Sequence, residues 1–101
     1  MNPKTVGTSA RRIAEAAGIH VPADHPCKVL IGFADPSKIC KTYPMSLEKL
    51  SPVLGVFKAK NFEEAVEISK TCIHLAGKGH TGSIHTRYDS YDKIKYYTEH
   101  I

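Results

Sequence analysis

The segment at residues 77–81, Gly-Lys-Gly-His-Thr, combines residue types that can hold an anion. Its two glycines can turn backbone N–H groups toward a phosphate, while Lys78 and Thr81 add a cation and a hydroxyl. The spacing is not that of a P-loop, and the segment follows a predicted helix, whereas a phosphate cradle precedes one. The pattern therefore leaves two interpretations, a weak phosphate site or a helix C-terminus that leads into a strand, and it favours the second.

Histidines and cysteines form two groups that could be considered for metal binding. They are His20, His25 and Cys27, and then Cys72, His74 and His80. Neither group contains the paired C-x-x-C or H-x-x-x-H spacing of a zinc site, so no metal ligand is predicted. The three cysteines are an odd number without close pairing motifs, which favours reduced thiols. Cys72 falls on the apolar side of a predicted helix, as a buried and inert thiol would.

One predicted βαβ unit must position most of these residues. The apolar run at residues 53–59 predicts a strand, and Asn61 with Glu64 three residues later predicts a capped helix start. Apolar residues then recur at helical spacing until Gly77, which predicts the helix end. A further short strand is expected at residues 83–86, so the unit predicts parallel strands with a right-handed crossover.

Two elements are predicted before this unit. Thr8 or Thr5 could cap a first helix that Gly18 ends. The continuous apolar run at residues 28–33 predicts a strand that is buried on both faces. A long connection follows, and residues 46–50 are expected to form one helical turn before the βαβ unit.

A last helix completes the chain, with Asp89 or Ser90 as its cap. The order αβ(α)βαβα predicts an α/β fold in three layers, αβα, with a short and mainly parallel sheet. Because only three strands are evident, this sheet is expected to be part of a larger one.

Length and composition fit a single domain over residues 1–101, with 42% hydrophobic residues. The net charge is +4, but the lysines are spread along the chain, which indicates a solvated basic surface and not a nucleic-acid patch. No apolar run approaches the roughly 18 residues that a membrane span requires. The N-terminus lacks the apolar centre of a signal peptide, so a cytoplasmic protein is expected.

Two phrases in the chain resemble the CoA-acylating branch of the aldehyde dehydrogenase family. Residues 48–54 read Glu-Lys-Leu-Ser-Pro-Val-Leu, and residues 60–66 read Lys-Asn-Phe-Glu-Glu-Ala-Val, with Gly-His-Thr at residues 79–81. Residues 6–22 resemble the same branch, which includes the aldehyde dehydrogenase half of bifunctional aldehyde-alcohol dehydrogenases. The resemblance implies an NAD-dependent oxidoreductase that interconverts acyl-CoA and NADH with aldehyde, CoA and NAD through a cysteine thioester.

Glu48 and Leu50 are the candidate cofactor-binding residues that this resemblance implies. The matching glutamate of the family accepts hydrogen bonds from the nicotinamide ribose, and a carboxylate can accept two from a diol. Leu50 stands where many relatives have an aromatic residue beside the nicotinamide, so apolar contact is retained without ring stacking. The residues alone leave other interpretations open, a solvated helix residue for Glu48 and a core residue for Leu50.

The family's nucleophile and dinucleotide-binding parts are not recognisable in the chain. None of Cys27, Cys40 or Cys72 lies in the small-residue turn of the catalytic cysteine, and the Gly-rich NAD motif and the dimerisation hairpin are absent. The resemblance thus implies the C-terminal part of a catalytic domain, without catalytic residues and inactive alone. Its partners would be the remainder of an oligomeric parent enzyme and an aldehyde or acyl-CoA, with no nucleic acid or membrane. NAD and CoA would serve the parent, and the fragment would hold neither.

Two other classes of function remain open at this point. One is a stand-alone small α/β module that binds an anion or nucleotide without catalysis. The other is a structural or assembly piece that associates through an uncovered sheet edge.

Overall fold

Three helices and two strands form the regular structure of the computed structural model, which describes residue 3, residues 6–77 and residues 79–101. In chain order they are α1 (Ala10–Ala16), β1 (Leu30–Ala34), β2 (Val53–Phe57), α2 (Phe62–Ala76) and α3 (Tyr91–His100). Two short 3₁₀ turns, Pro36–Lys38 and Pro44–Ser46, lie between the strands. Within the described ranges, no helix combines the length and apolar character that crossing a bilayer requires.

The sheet consists of β1 and β2, which pair in parallel. Leu30 lies opposite Val53, and the register places Gly32 opposite Gly55. Since side chains on parallel neighbours in register point to the same face, the two glycines leave one face of the sheet without side chains at its centre. The predicted α/β class with a short parallel sheet is confirmed.

The strand predicted at residues 83–86 is wrong, because residues 80–87 have no regular secondary structure. A strand requires a hydrogen-bonded neighbour, and the sheet formed by the described residues has only two members. This segment instead packs beside α2 and α3. A Cβ atom at Gly82 would lie 2.5 Å from the hydroxyl of Tyr97, and residues 83–86 share a cavity of about 310 Å³ with Phe62 and Val66. Of the predicted βαβ unit, the described residues therefore form the first strand, β2, and the helix, α2, but not the second strand.

The capping prediction for α2 is confirmed. The side chain of Asn61 accepts a 2.8 Å hydrogen bond from the N–H of Glu64, and the Glu64 carboxylate accepts one from the N–H of Lys60 at 2.5 Å. The bond to Lys60 reaches one residue earlier than the reciprocal bond of a standard capping box. Both bonds satisfy N–H groups at a helix start that has no internal partners for them.

The predicted boundaries of the other helices need small corrections. The side chain of Ser9, not of Thr8, caps α1 by accepting from the N–H of Arg12 at 3.4 Å, and Thr5 lies outside the described residues. Ser90 occupies the cap position of α3, as one of the two predicted alternatives had it, but its side chain makes no capping hydrogen bond within the described residues. The helical turn expected at residues 46–50 lies earlier, at Pro44–Ser46, because the fixed φ of Pro44 suits the first position of a turn.

The prediction that β1 is buried on both faces is wrong. Phe33 is 87% exposed and Ile31 is 59% exposed, and both project from the same face of the strand. Val29 and Leu54, also exposed, extend this surface, and we call these four residues the apolar face. The buried hydrophobic residues of the described chain are small or medium in size, namely Ala10, Ala14 and Val66. The apolar run predicted a strand correctly, but within this chain nothing described covers its outer side.

We expect Asn61→Ala to lower the free energy of unfolding by about 1 kcal/mol, because the first turn of α2 loses its side-chain acceptor. Urea unfolding followed by circular dichroism measures the change. Asn61→Asp, which keeps an acceptor at the same place, is the matched control and should unfold at nearly the wild-type midpoint. Equal midpoints for all three proteins would contradict the capping role.

Candidate functional site

Residues 47–51 form a turn that carries both predicted cofactor-binding residues into the start of β2, and we call it the 47–51 turn. The Ser46 hydroxyl, which is buried just before it, shares its one proton between the carbonyl oxygens of Tyr43, at 2.7 Å, and Cys40, at 3.0 Å. After the turn, the carbonyl of Pro52 accepts from the N–H of Leu30 at 2.9 Å. The turn is therefore anchored on one side by a buried hydroxyl and on the other by the sheet.

Leu50 has an unusual backbone conformation within this turn. Its φ is 46°, in the left-handed region that costs a residue with a side chain about 1–2 kcal/mol. The carbonyl of Leu50 accepts a 3.2 Å hydrogen bond from the N–H of Gly7, which ties the turn to the segment before α1. The side chain is 56% exposed, so Leu50 is not a core residue of this chain.

Glu48 stands between two surface cavities of about 450 Å³ and 500 Å³. Its side chain is exposed, so the carboxylate oxygens are accessible to a ligand. The smaller cavity extends toward Ile13 of α1, and the larger one toward Cys72 of α2. The structure thus places Glu48 beside two cavities that are large enough for a small group, whereas Leu50, two residues later on the same turn, is exposed but lines neither cavity.

Lys49, between these two residues, faces inward. Its ammonium group donates to the carbonyl oxygens of Leu47 at 2.9 Å and Met45 at 3.3 Å. Burial lowers the pKa of Lys49, and the negative charge that Cys72 carries when ionised would oppose this shift. Burial also raises the pKa of Cys72, on the wall of the larger cavity, so this thiol is neutral near pH 7.

The Gly-Lys-Gly-His-Thr segment lies directly after α2, and Lys78 itself is outside the described residues. Gly77 and Gly79 have positive φ angles of 95° and 108°, and the N–H of Gly77 donates to the carbonyl of His74 at 3.3 Å. The C-terminal end of a helix exposes carbonyl oxygens and carries partial negative charge, which disfavours a phosphate. The geometry fits the helix C-terminus interpretation.

The cysteines and histidines are not assembled into a metal centre within the described residues, where no group of three or more metal-binding side chains converges. All three cysteines are free thiols, with Cys40 exposed and Cys27 and Cys72 half-buried. The loop that holds His25 is tied to α1, since Arg11 donates to the carbonyls of Val21, at 3.0 Å, and His25.

Sequence reasoning missed the inward contacts of the turn. Met45 lies over the glycine pair of the sheet: a Cβ atom at Gly55 would be 2.6 Å from the Met45 carbonyl oxygen, and one at Gly32 would be 2.5 Å from the Met45 Cε. A glycine near the middle of each predicted strand was the available signal, because such glycines often mark a close approach of backbone. Nothing in the sequence indicated that Lys49 would bond to Met45.

Comparison with known proteins identifies the family. The chain is 42% identical over 95 residues, 94% of its length, to the aldehyde-alcohol dehydrogenase of Clostridium acetobutylicum. It is 37% identical over all 101 residues to the acylating sulfoacetaldehyde dehydrogenase of Bilophila wadsworthia. The crystal structure of an acetylating aldehyde dehydrogenase from Geobacillus thermoglucosidasius matches 97% of the chain with a TM-score of 0.81 and 39% identity. This chain belongs to the acylating aldehyde dehydrogenase family.

The family resemblance of residues 48–54 and 60–66 is thereby confirmed. The chain spans only part of each relative, about 10% of the aldehyde-alcohol dehydrogenase and 20% of each of the other two proteins. A scan against protein-family models finds no match. The 47–51 turn of this chain combines an exposed carboxylate, an exposed apolar side chain and adjacent cavities.

The cysteines are expected to differ in reactivity. Hydrogen bonding to Thr42 lowers the pKa of Cys40, whereas burial raises the pKa of Cys72, and the thiolate is the reactive form. Iodoacetamide at pH 8, followed by peptide mass spectrometry, should therefore label Cys40 several-fold faster than Cys72. In the unfolded chain in urea the two rates should converge, and a persistent difference there, or faster labelling of Cys72 in the folded chain, would contradict the described environments.

The two sheet glycines are expected to differ in their tolerance of a methyl group. Gly55→Ala drives a Cβ atom against the Met45 backbone, so we expect a loss of about 1–3 kcal/mol in the free energy of unfolding. Gly32→Ala meets only the flexible end of the Met45 side chain and should cost less. Urea unfolding of both variants measures the difference, and a smaller loss for Gly55→Ala than for Gly32→Ala would refute the described contact.

Proposed function

We propose that this chain is part of the catalytic domain of an NAD-dependent, CoA-acylating aldehyde dehydrogenase, from the C-terminal portion of that domain. The parent enzyme would convert acyl-CoA and NADH reversibly to aldehyde, CoA and NAD through a cysteine thioester. The observation that carries the proposal is the match of nearly the whole chain, in sequence and fold, to one fifth of an acetylating aldehyde dehydrogenase. The nucleophilic cysteine and the dinucleotide-binding domain would then be supplied by other segments of the parent.

The exposed surface of the chain supports this proposal. It exposes 7753 Å², whereas a compact monomer of 11.1 kDa exposes roughly 5,700 Å². Its radius of gyration is 15.9 Å, compared with about 13 Å for a compact domain of this length. The excess of about 2,000 Å² is larger than the roughly 800 Å² that one protein contributes to a standard interface. Packing inside a larger domain would bury an excess of exposed surface of this size.

The apolar face supports the same conclusion locally. Ile31 lies opposite Leu54 across the two strands, and Val29 and Phe33 continue the surface along β1. Burying a side chain such as Phe33 stabilises a fold by about 1.5–3 kcal/mol, which this chain forgoes on its own. We infer that the remainder of the parent enzyme covers this face and is the main protein partner of the segment.

In the parent, Glu48 and Leu50 would hold the nicotinamide half of the dinucleotide. The exposed Glu48 carboxylate has the lone pairs to accept hydrogen bonds from both ribose hydroxyls. Leu50 offers an exposed apolar side chain two residues away. When bound, NAD would accept the hydride or NADH would supply it. The role of this chain would be to bind and orient the dinucleotide. The proposed setting is a cytoplasmic homo-oligomer that uses CoA as co-substrate.

The isolated chain is expected to show no dehydrogenase turnover, because the proposed nucleophile and nucleotide domain lie outside it. NADH oxidation in the presence of acetyl-CoA, followed by absorbance, measures this directly. A heat-treated sample of the chain is the blank, and a complete acylating aldehyde dehydrogenase is the positive control. Oxidation well above the blank would show that the chain is a self-sufficient enzyme and would overturn the fragment proposal.

A further inference from the structure

We propose that Lys49 is a positioning residue, whose ammonium group ties the 47–51 turn to the sheet and so holds Glu48 and Leu50 in a fixed relation to a bound nicotinamide ribose. The inference rests on the proposed cofactor role of those two residues. Lys49 itself touches neither substrate nor cofactor in this account. It acts through the backbone of the turn.

The bonds of Lys49 close a ring around Glu48. Its Nζ atom donates to the carbonyls of Leu47, two residues earlier, and Met45, four residues earlier. The backbone of Glu48 lies within this ring, directly between Leu47 and Lys49. Fixing the two carbonyls therefore restricts the direction in which the Glu48 side chain leaves the turn.

One end of the ring is itself fixed to the sheet. The Met45 carbonyl lies so close to β2 that a Cβ atom at Gly55 would be 2.6 Å from its oxygen, and 3.6 Å from Lys49 Nζ. The Met45 side chain lies over Gly32 of β1. Lys49 thus binds the Met45 carbonyl oxygen, an atom whose position is already fixed by its close approach to Gly55.

The conformation of Leu50 shows why the turn needs to be held. A leucine with φ of 46° lies in the left-handed region, which disfavours residues with a side chain, so a free chain would relax from it. The N–H of Gly7 binds the Leu50 carbonyl from outside the turn, and the ammonium group of Lys49 binds the Leu47 carbonyl within it. Hydrogen bonds from a charged donor are stronger than those between neutral groups, so the bonds of Lys49 oppose this relaxation.

The surroundings favour carbonyl acceptors for the ammonium group. Lys49 is half-buried, which strengthens its hydrogen bonds relative to those in water. Cys72 is the group across the cavity, and because burial raises its pKa it stays neutral and does not draw the ammonium into an ion pair. The donors of Lys49 are thus directed to Leu47 and Met45.

Amide hydrogen exchange of the whole 101-residue chain, followed by NMR, tests the proposal. Lys49→Met keeps most of the length of the side chain and removes the donors. We expect exchange at the Gly7 amide, which donates to the Leu50 carbonyl, to rise about tenfold while amides of α2 change less than about twofold. Lys49→Arg keeps a cationic donor and should stay within about threefold of wild type. Lys58→Met, at an exposed lysine just after β2, is the matched control and should change nothing.

Each other result counts against the proposal. Unchanged exchange at Gly7 in Lys49→Met, or an equal rise throughout α2, would show that Lys49 does not act on the turn. A loss in Lys49→Arg as large as in Lys49→Met would show that packing, not donated hydrogen bonds, fixes it. These measurements use no substrate or dinucleotide, so their failure is distinct from failure of the dehydrogenase proposal, which the turnover assay addresses.

The complete parent enzyme gives a second readout. Lys49→Met should raise the KM for NADH about tenfold with kcat within about twofold, and Lys49→Arg should retain a KM near wild type. A KM for NADH that is unchanged in an enzyme shown to be active would overturn the link between the lysine and the cofactor.

Discussion

The close contact between Met45 and the paired glycines of the sheet is the constraint on which the rest of the candidate site depends. Gly32 and Gly55 lie opposite each other, so the centre of one sheet face has no side chains. Met45 fills that space, with its carbonyl against Gly55 and its side chain over Gly32. A chain segment that approaches a sheet this closely can continue in few directions, and the 47–51 turn is the continuation observed.

The two faces of the sheet consequently differ in completeness. The glycine face is covered by a segment of the same chain, whereas the apolar face has exposed side chains at four positions. A strand pair gains most of its stability by burying side chains on both sides, and Phe33, at 87% exposure, contributes almost nothing. The candidate site is therefore held against the glycine face, which this chain covers itself. We propose that the rest of the enzyme packs on the apolar face.

Local rules predicted the local features of this fold. The start of α2 follows from Asn61 and Glu64 because a helix cap depends on residues three apart, and the two strands follow from short apolar runs. The burial of β1 was predicted wrongly. An apolar run indicates that a strand has hydrophobic faces, but it does not indicate whether residues of the same chain pack on them. The strand expected at residues 83–86 failed for a related reason, since a strand requires a neighbour that its own sequence does not specify.

The contacts that shape the candidate site were beyond such rules. The bond from Lys49 to Met45 depends on how the chain returns over β2, and a lysine beside a glutamate normally indicates a solvated surface. The family resemblance implied cofactor roles for Glu48 and Leu50, but not the backbone conformation that exposes both. A positive φ is usually assigned to Gly or Asn, so no single-sequence argument would have placed Leu50 there.

A leucine at this position also indicates what the turn is for. Glycine at position 50 would remove the backbone strain, and the exposed leucine side chain contributes little to the stability of this chain. A strained residue whose side chain is not needed for packing is typical of a site where the side chain serves a ligand. On the proposed function, both the strain and the exposure of Leu50 have one explanation: its side chain is held out toward a nicotinamide, and the hydrogen bonds from Gly7 and Lys49 hold the backbone that presents it.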